Sequence, residues 1–250
     1  MQKKLKYSEA EHYLEGLGEF NTDYLPQSLR FIPPDGAYVY ERKGFFRKAA
    51  SAAARTVTFV FGGAFSRLFF GTRVKGRENL KGIKGAICIS NHVHWLDTLF
   101  VKQAVGHYRS YHTAAPWNNR KGAGGAIMRA AGLVPFASGF TATKNFNAYL
   151  KKIISKGAIV NFYPEASLWL RYERPRPFKS GAFRYAAAFG VPVVPLFITF
   201  GPKKRFGKKK VTVNILPPVY PDERMDYRSR AEKCALECYE AWYRKYEEFY

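Results

Sequence analysis

Between residues 72 and 216 the chain alternates short apolar runs with longer stretches of helical pattern, which constrains its fold more than any other feature. The clearest run, Ala86-Ile87-Cys88-Ile89, is apolar at every position, as in a strand covered on both faces. Gly85–Ser90 is read as that strand. Thr72–Gly76, Tyr108–Ala114, Leu133–Phe136, Ala158–Phe162, Pro192–Thr199 and Val211–Leu216 are read as its companions. Between them the pattern predicts helices over Val93–Val105, Ala123–Ala131, Ala142–Lys156 and Gly181–Phe189. A parallel strand pair needs a crossover, and these helices supply it. The predicted class is α/β, a mixed, largely parallel sheet covered by helices.

The flanks read differently. Residues 1–42 are polar and turn-rich, with Pro26 and the cluster Pro33-Pro34-Asp35-Gly36, and are expected to form an arm with a short helix near Ser8–Leu17. Phe45–Phe70 is small, aromatic and basic. Its Ala49–Ala54 run favours helix, and Gly62-Gly63 is expected to break or kink it into a pair of helices. Such an amphipathic, membrane-associating segment would set aromatics into the acyl region and Arg side chains against phosphates; the alternative is an ordinary helix packed on the sheet. Its longest uncharged stretch, Thr56–Ser66, is too short to span a bilayer, which takes about 20 apolar residues. The expected division is an arm with this segment over 1–71 and a catalytic-type α/β domain over 72–250. A last helix is predicted from Asp226, a natural N-cap, to Phe249. Ala231, Ala235, Cys238, Trp242 and Tyr246 form its packing stripe.

Lys and Arg number 41 against 19 Asp and Glu, a formal net charge of +22. That excess draws the chain to polyanions: anionic lipid, phosphorylated substrates, an acidic carrier protein or nucleic acid. Helix-turn-helix, zinc-finger and RNP-type signatures are absent, so nucleic acid is not the expected partner. The basic runs Lys203-Lys204-Arg205 and Lys208-Lys209-Lys210 are read as a solvated loop between two strands, with a face toward lipid or a carrier protein as the alternative. Three cysteines, Cys88, Cys234 and Cys238, without paired spacing point to a reducing compartment and to small apolar packing residues, with no metal site.

The chemistry-bearing stretch is Ser90-Asn91-His92-Val93-His94-Trp95-Leu96-Asp97, placed directly after the buried strand. Open α/β sheets bind ligands at such carboxyl ends. An imidazole can take the proton from an attacking hydroxyl, and a carboxylate can fix its tautomer and stabilise the cation that forms. Either His92 or His94 can be paired with Asp97 on spacing alone. No candidate Ser or Cys nucleophile stands out nearby, which favours direct transfer over a covalent intermediate. Trp95 and Leu96 are expected to pack beneath the site.

Asn91-His92, four residues, then Asp97 resembles the signature of the lysophosphatidate and glycerol-phosphate acyltransferase superfamily. Further blocks follow in that family's order: Val74–Leu80, Gly132–Phe136, Phe162-Tyr163-Pro164-Glu165-Ala166-Ser167, Phe178–Ala182 and Val191–Leu196. The resemblance covers roughly residues 72–216. It implies that His92 is the general base with Asp97 assisting, and that Glu165 and Ser167 belong to the acceptor site. It also implies that an acyl thioester, on coenzyme A or acyl carrier protein, is the co-substrate and no other cofactor is used.

Two departures bear on the acceptor. Ala137-Ser138-Gly139 stands where the family carries an Arg, and Leu168 stands at a second Arg position, with Ala166 replacing Gly. Arg171, Arg174, Arg176 and Lys179 follow closely and are the candidate replacements, with Lys144 near the earlier gap. The expected function is acyl transfer to a lysophospholipid-type hydroxyl, as in 1-acylglycerol-3-phosphate, at the cytoplasmic face of an anionic membrane by a peripheral or monotopic protein. The alternatives are a lysolipid acceptor with an amino-acid or sugar headgroup, a thioesterase, and a non-catalytic basic protein that binds membrane or nucleic acid.

Overall fold

The computed structural model describes residues 30–106 and 109–250; the helix expected near Ser8–Leu17 lies outside them. Among the described residues seven strands form one sheet: β1 (Arg73–Lys75), β2 (Ala86–Ser90), β3 (Ser110–Ala114), β4 (Leu133–Pro135), β5 (Ile159–Phe162), β6 (Val193–Arg205) and β7 (Lys208–Ile215). Their order is β1-β7-β6-β2-β5-β3-β4, with every pairing parallel except the β6–β7 hairpin. The mixed, largely parallel sheet expected from the alternation is the one observed.

β2 is central and buried along its whole length, which explains its unbroken apolar run. Its side chains divide by parity. Ile87 and Ile89 face a core built with α4 (Phe140–Ser155), α5 (Gly181–Phe189) and α6 (Tyr227–Phe249). Ala86 and Cys88 face a second core with Phe70 of α1 (Phe45–Phe70) and Phe100, Val101 and Ala104 of α2 (Asp97–Val105). A shorter helix, α3 (Gly122–Ala130), leads into β4. Asp226 caps α6 as expected, its carboxylate accepting from the backbone of Arg228 and Ser229.

Two expectations are corrected. Gly62-Gly63 does not interrupt α1, which runs unbroken for 26 residues. A Cβ on Gly62 would collide with Leu99, and one on Gly63 with Gln103, so the pair lets α1 lie close against α2. Gln103 uses that proximity to donate to the Phe59 carbonyl at 2.8 Å. The basic run near 203–210 is likewise not a loop. The strands of the hairpin continue through it and turn only at Phe206 and Gly207, both at positive φ.

α1 leaves one face unburied: Val57, Val60, Phe61, Phe65 and Leu68, spaced by three and four, are all exposed. Phe206 at the hairpin tip is exposed too, with its ring 5.8 Å from that of Phe69. Among the described residues no helix is long and apolar enough to cross a membrane.

Candidate active site

β2 and β5 run side by side with Ile89 opposite Phe162, so the segments after them leave the sheet together. Asn91 ends β2 by pairing with β6 through its side chain, donating to the Ile198 carbonyl at 3.0 Å and accepting its N–H at 2.8 Å. Asp97 then opens α2 and folds the intervening loop back on itself. One carboxylate oxygen accepts from Val93 N (2.8 Å), His94 N (3.0 Å) and His92 Nδ1 (2.9 Å). A carboxylate in the first turn also meets the positive end of the helix. The Asp97 side chain is 1% exposed; burial pushes its carboxyl up, opposed by His92 and the two backbone N–H groups.

In the neutral ring of His92, donation from Nδ1–H to Asp97 leaves the lone pair on the other nitrogen, Nε2. The ring stacks on Tyr163, centroids 4.0 Å apart, and the Tyr163 hydroxyl meets Thr98 Oγ1 at 3.1 Å. His94 is built for something else. Its Nδ1 accepts from Leu96 N at 3.0 Å, and its ring sits 5.1 Å from Phe70 and 5.2 Å from Phe100. Burial, then Arg171 and Lys208, lowers its pKa to about 4. The spacing left both histidines open; the geometry pairs His92 with Asp97 and leaves His94 a neutral packing residue.

Behind the His92 loop lies a buried ion pair. Glu165 accepts from His92 N at 3.0 Å and from Arg176 Nη2 at 2.8 Å, and its second oxygen accepts from Arg176 N at 3.0 Å. Arg176 also donates to the carbonyls of Ser167 (2.6 Å) and His92 (3.3 Å), and lies over the Trp169 ring at 4.4 Å. Trp169 N donates to the same His92 carbonyl at 3.0 Å. Both main-chain polar groups of His92 are thereby fixed. The turn carrying this pair holds Ala166 at φ 64° and Arg171 at φ 61°. Positive φ costs a non-glycine residue roughly 1–2 kcal/mol.

In front of His92 is a cavity of about 720 Å³, within the range of small-molecule sites. His92, Thr98 and Tyr163 line it, together with the apolar Met128, Leu133, Phe136 and Phe162; Arg120 and Lys179 bring cations to the lining.

A family model described as Acyltransferase matches residues 71–199, just over half of the chain and the whole of this site. The chain belongs to the acyltransferase family. Among solved structures it is similar to the 1-acyl-sn-glycerophosphate (LPA) acyltransferase PlsC from Thermotoga maritima, with 19% identity and a TM-score of 0.48 over 78% of this chain and 94% of that one. No curated protein matches it.

In this acyltransferase the sequence-predicted residues fall into three groups. His92, Ser167 and Lys179 border the cavity, while Asp97, Glu165 and Arg176 stand behind it and hold the His92 loop. Arg171 and Arg174 do not border it. Arg171 is exposed near His94, and Arg174 sits by Tyr246 of α6, its guanidinium 6.0 Å from that ring. Lys144 is exposed on α4, also away from the cavity. Trp95 is not packed beneath the site but 67% exposed, whereas Leu96 packs against the core. Sequence reasoning missed Arg120, which no motif marks, and the stacking partner Tyr163.

Proposed function

We propose that this acyltransferase moves a fatty acyl group from an acyl thioester, on coenzyme A or acyl carrier protein, to a hydroxyl of a lysophospholipid such as 1-acylglycerol-3-phosphate. The observation that carries this is His92, held by Asp97, bordering a cavity lined by the apolar Met128, Leu133, Phe136 and Phe162 and by the cations Arg120 and Lys179. His92 Nε2 takes the proton of the acceptor hydroxyl as its oxygen attacks the thioester carbonyl. Asp97 stabilises the imidazolium. Collapse of the tetrahedral intermediate breaks the C–S bond, and the proton passes from His92 to the departing thiolate.

No covalent acyl-enzyme is needed. Cys88 is buried in β2 and burial raises its thiol well above the ordinary value, so it supplies no thiolate. The reaction as written uses no metal or further cofactor. Arg120 and Lys179 bind the acceptor phosphate in place of the arginines replaced at Ala137-Ser138-Gly139 and Leu168; Leu168 itself is buried. The exposed apolar face of α1, with Phe206 beside it, sits in one leaflet of an anionic membrane, making the protein peripheral or monotopic at a cytoplasmic surface.

The test is thiol release from long-chain acyl-CoA and acyl-carrier thioesters with and without a panel of lysolipids, products read by mass spectrometry. Acceptor-dependent release that collapses in His92→Ala supports the reading, and Arg120→Gln/Lys179→Gln should raise KM for a phosphate-bearing acceptor at least tenfold. Release without an acceptor product would make the protein a thioesterase. Release indifferent to His92→Ala would remove the base.

A further inference from the structure

A second cavity, of about 530 Å³, lies under the N-terminal half of α1, between the segment 38–42 and the C-terminal half of α4. It shares only Leu133 with the cavity at His92. Its lining is far more basic. Arg42, Arg47 and Lys48 come from the approach to α1 and its first turn, Lys152 and Lys156 from the end of α4, and Arg129 from α3. Among the described residues the only carboxylate in the lining is Glu41, which is bound to Lys152 at 2.8 Å.

Arg55 is the deepest of these cations, 8% exposed. It donates to the Ser110 carbonyl at 2.9 Å and lies 4.1 Å from the Tyr111 ring centre. Gly132 makes room for it: φ there is +112°, and a Cβ would press on both the Ser110 carbonyl and the Arg55 guanidinium. Among the described residues no carboxylate is paired with Arg55. A guanidinium has five N–H donors, and a buried one without a counter-charge is costly. Ser51, one turn before Arg55 on the same helix, has a buried hydroxyl with no hydrogen-bond partner among the described residues. Burial, then Arg129 and Arg47, pushes Arg42 below its ordinary value, as expected where cations crowd without anions between them.

We propose that this cavity is a phosphate-ester site separate from the site of acyl transfer. Arginine matches phosphate oxygens two at a time, and a dianionic group supplies the charge that seven cations and one carboxylate leave unbalanced. Ser51 donates to the same group. The phosphate belongs either to a soluble ester or to a phospholipid headgroup entering beside the exposed Phe45 and Phe46 at the start of α1.

The experiment is calorimetric titration of inorganic pyrophosphate, at fixed ionic strength, into full-length protein carrying Arg120→Gln/Lys179→Gln, so that the His92 cavity contributes no cation. It requires no turnover, so failure of the proposed acyl transfer leaves it intact. Adding Arg47→Gln/Lys48→Gln/Lys156→Gln should weaken binding at least tenfold. Adding Lys81→Gln/Lys84→Gln/Lys121→Gln, which removes equal charge from exposed positions outside the cavity, should change it less than twofold. No binding by the starting protein, or equal weakening in both sets, overturns the site. Vesicles with phosphatidic acid in neutral lipid then separate the sources. A selective loss of vesicle binding in the first set assigns a headgroup, and retained vesicle binding with lost pyrophosphate binding assigns a soluble ester.

Discussion

Glu165→Gln tests whether this carboxylate touches the acceptor or holds His92 in place. Glu165 does not border the cavity; its side chain is 1% exposed and both its oxygens are engaged by Arg176 and the His92 N–H. Gln can still accept one of these bonds, but it leaves the Arg176 guanidinium buried without a counter-charge. Breaking one partner of a buried pair costs about 3–5 kcal/mol. For a chain of this size each kcal/mol lowers Tm by about 2–4 °C, so a fall of roughly 6–20 °C is expected. The His92 loop then loses part of its anchoring, and a misplacement near 1 Å costs about 100-fold in rate. Calorimetric unfolding and steady-state kinetics should therefore show a lower Tm and a kcat reduced about 100-fold, with acceptor KM within about threefold of wild type. Glu165→Gln/Arg176→Met should recover much of the lost stability, because no unpaired charge remains. An unchanged Tm with acceptor KM raised tenfold and kcat intact would refute the argument and put Glu165 on the substrate.

Asp97→Asn keeps the side-chain shape but frees the imidazole to take the wrong tautomer; single-turnover rates should fall about 10³–10⁴-fold, and a loss under tenfold would exclude Asp97 from the chemistry. His112 is buried with its pKa lowered to about 3 by burial, then by Lys102 and Arg55. The unfolded chain therefore binds its proton first, and stability is full above about pH 6.5 and lost as pH falls toward 3. Urea unfolding at pH 7 and 5 should give about 2 kcal/mol less pH dependence in His112→Asn than in wild type, and identical dependence would contradict the burial argument. Phe61→Asp/Leu68→Asp removes two exposed apolar side chains from the α1 face, each worth about 1.5–3 kcal/mol when buried. Co-sedimentation with anionic vesicles should weaken about 100-fold or more with circular dichroism unchanged; undiminished binding would mean this face does not enter lipid.

What could be read from sequence depended on whether one residue type has one physical use. An apolar run of four between turn residues admits little besides a doubly covered strand, and β2 is that strand. Asp before a helical stripe caps it, and Asp226 does. Glycine is ambiguous in a way neither is. Gly62-Gly63 was readable as a break, yet the absent Cβ serves the close approach of α2, whose contacting residues Leu99 and Gln103 lie 37 and 40 positions away and are revealed by no local pattern. Cations are ambiguous for the same reason. Arg171, Arg174, Arg176 and Lys179 form one basic stretch, but the positive φ at Ala166 and Arg171 turns the loop so that each meets a different neighbour. Arg176 is drawn inward by Glu165, Arg174 toward Tyr246, and Lys179 alone reaches the cavity. The same argument explains why His92 and His94 could not be separated by spacing. Asp97 lies at a helix start, and only the fold of the loop around its single oxygen decides which imidazole arrives there. Catalytic identity was therefore carried by the order of the motif blocks, whereas ligand identity is carried by backbone turns whose outcome depends on contacts distant in sequence.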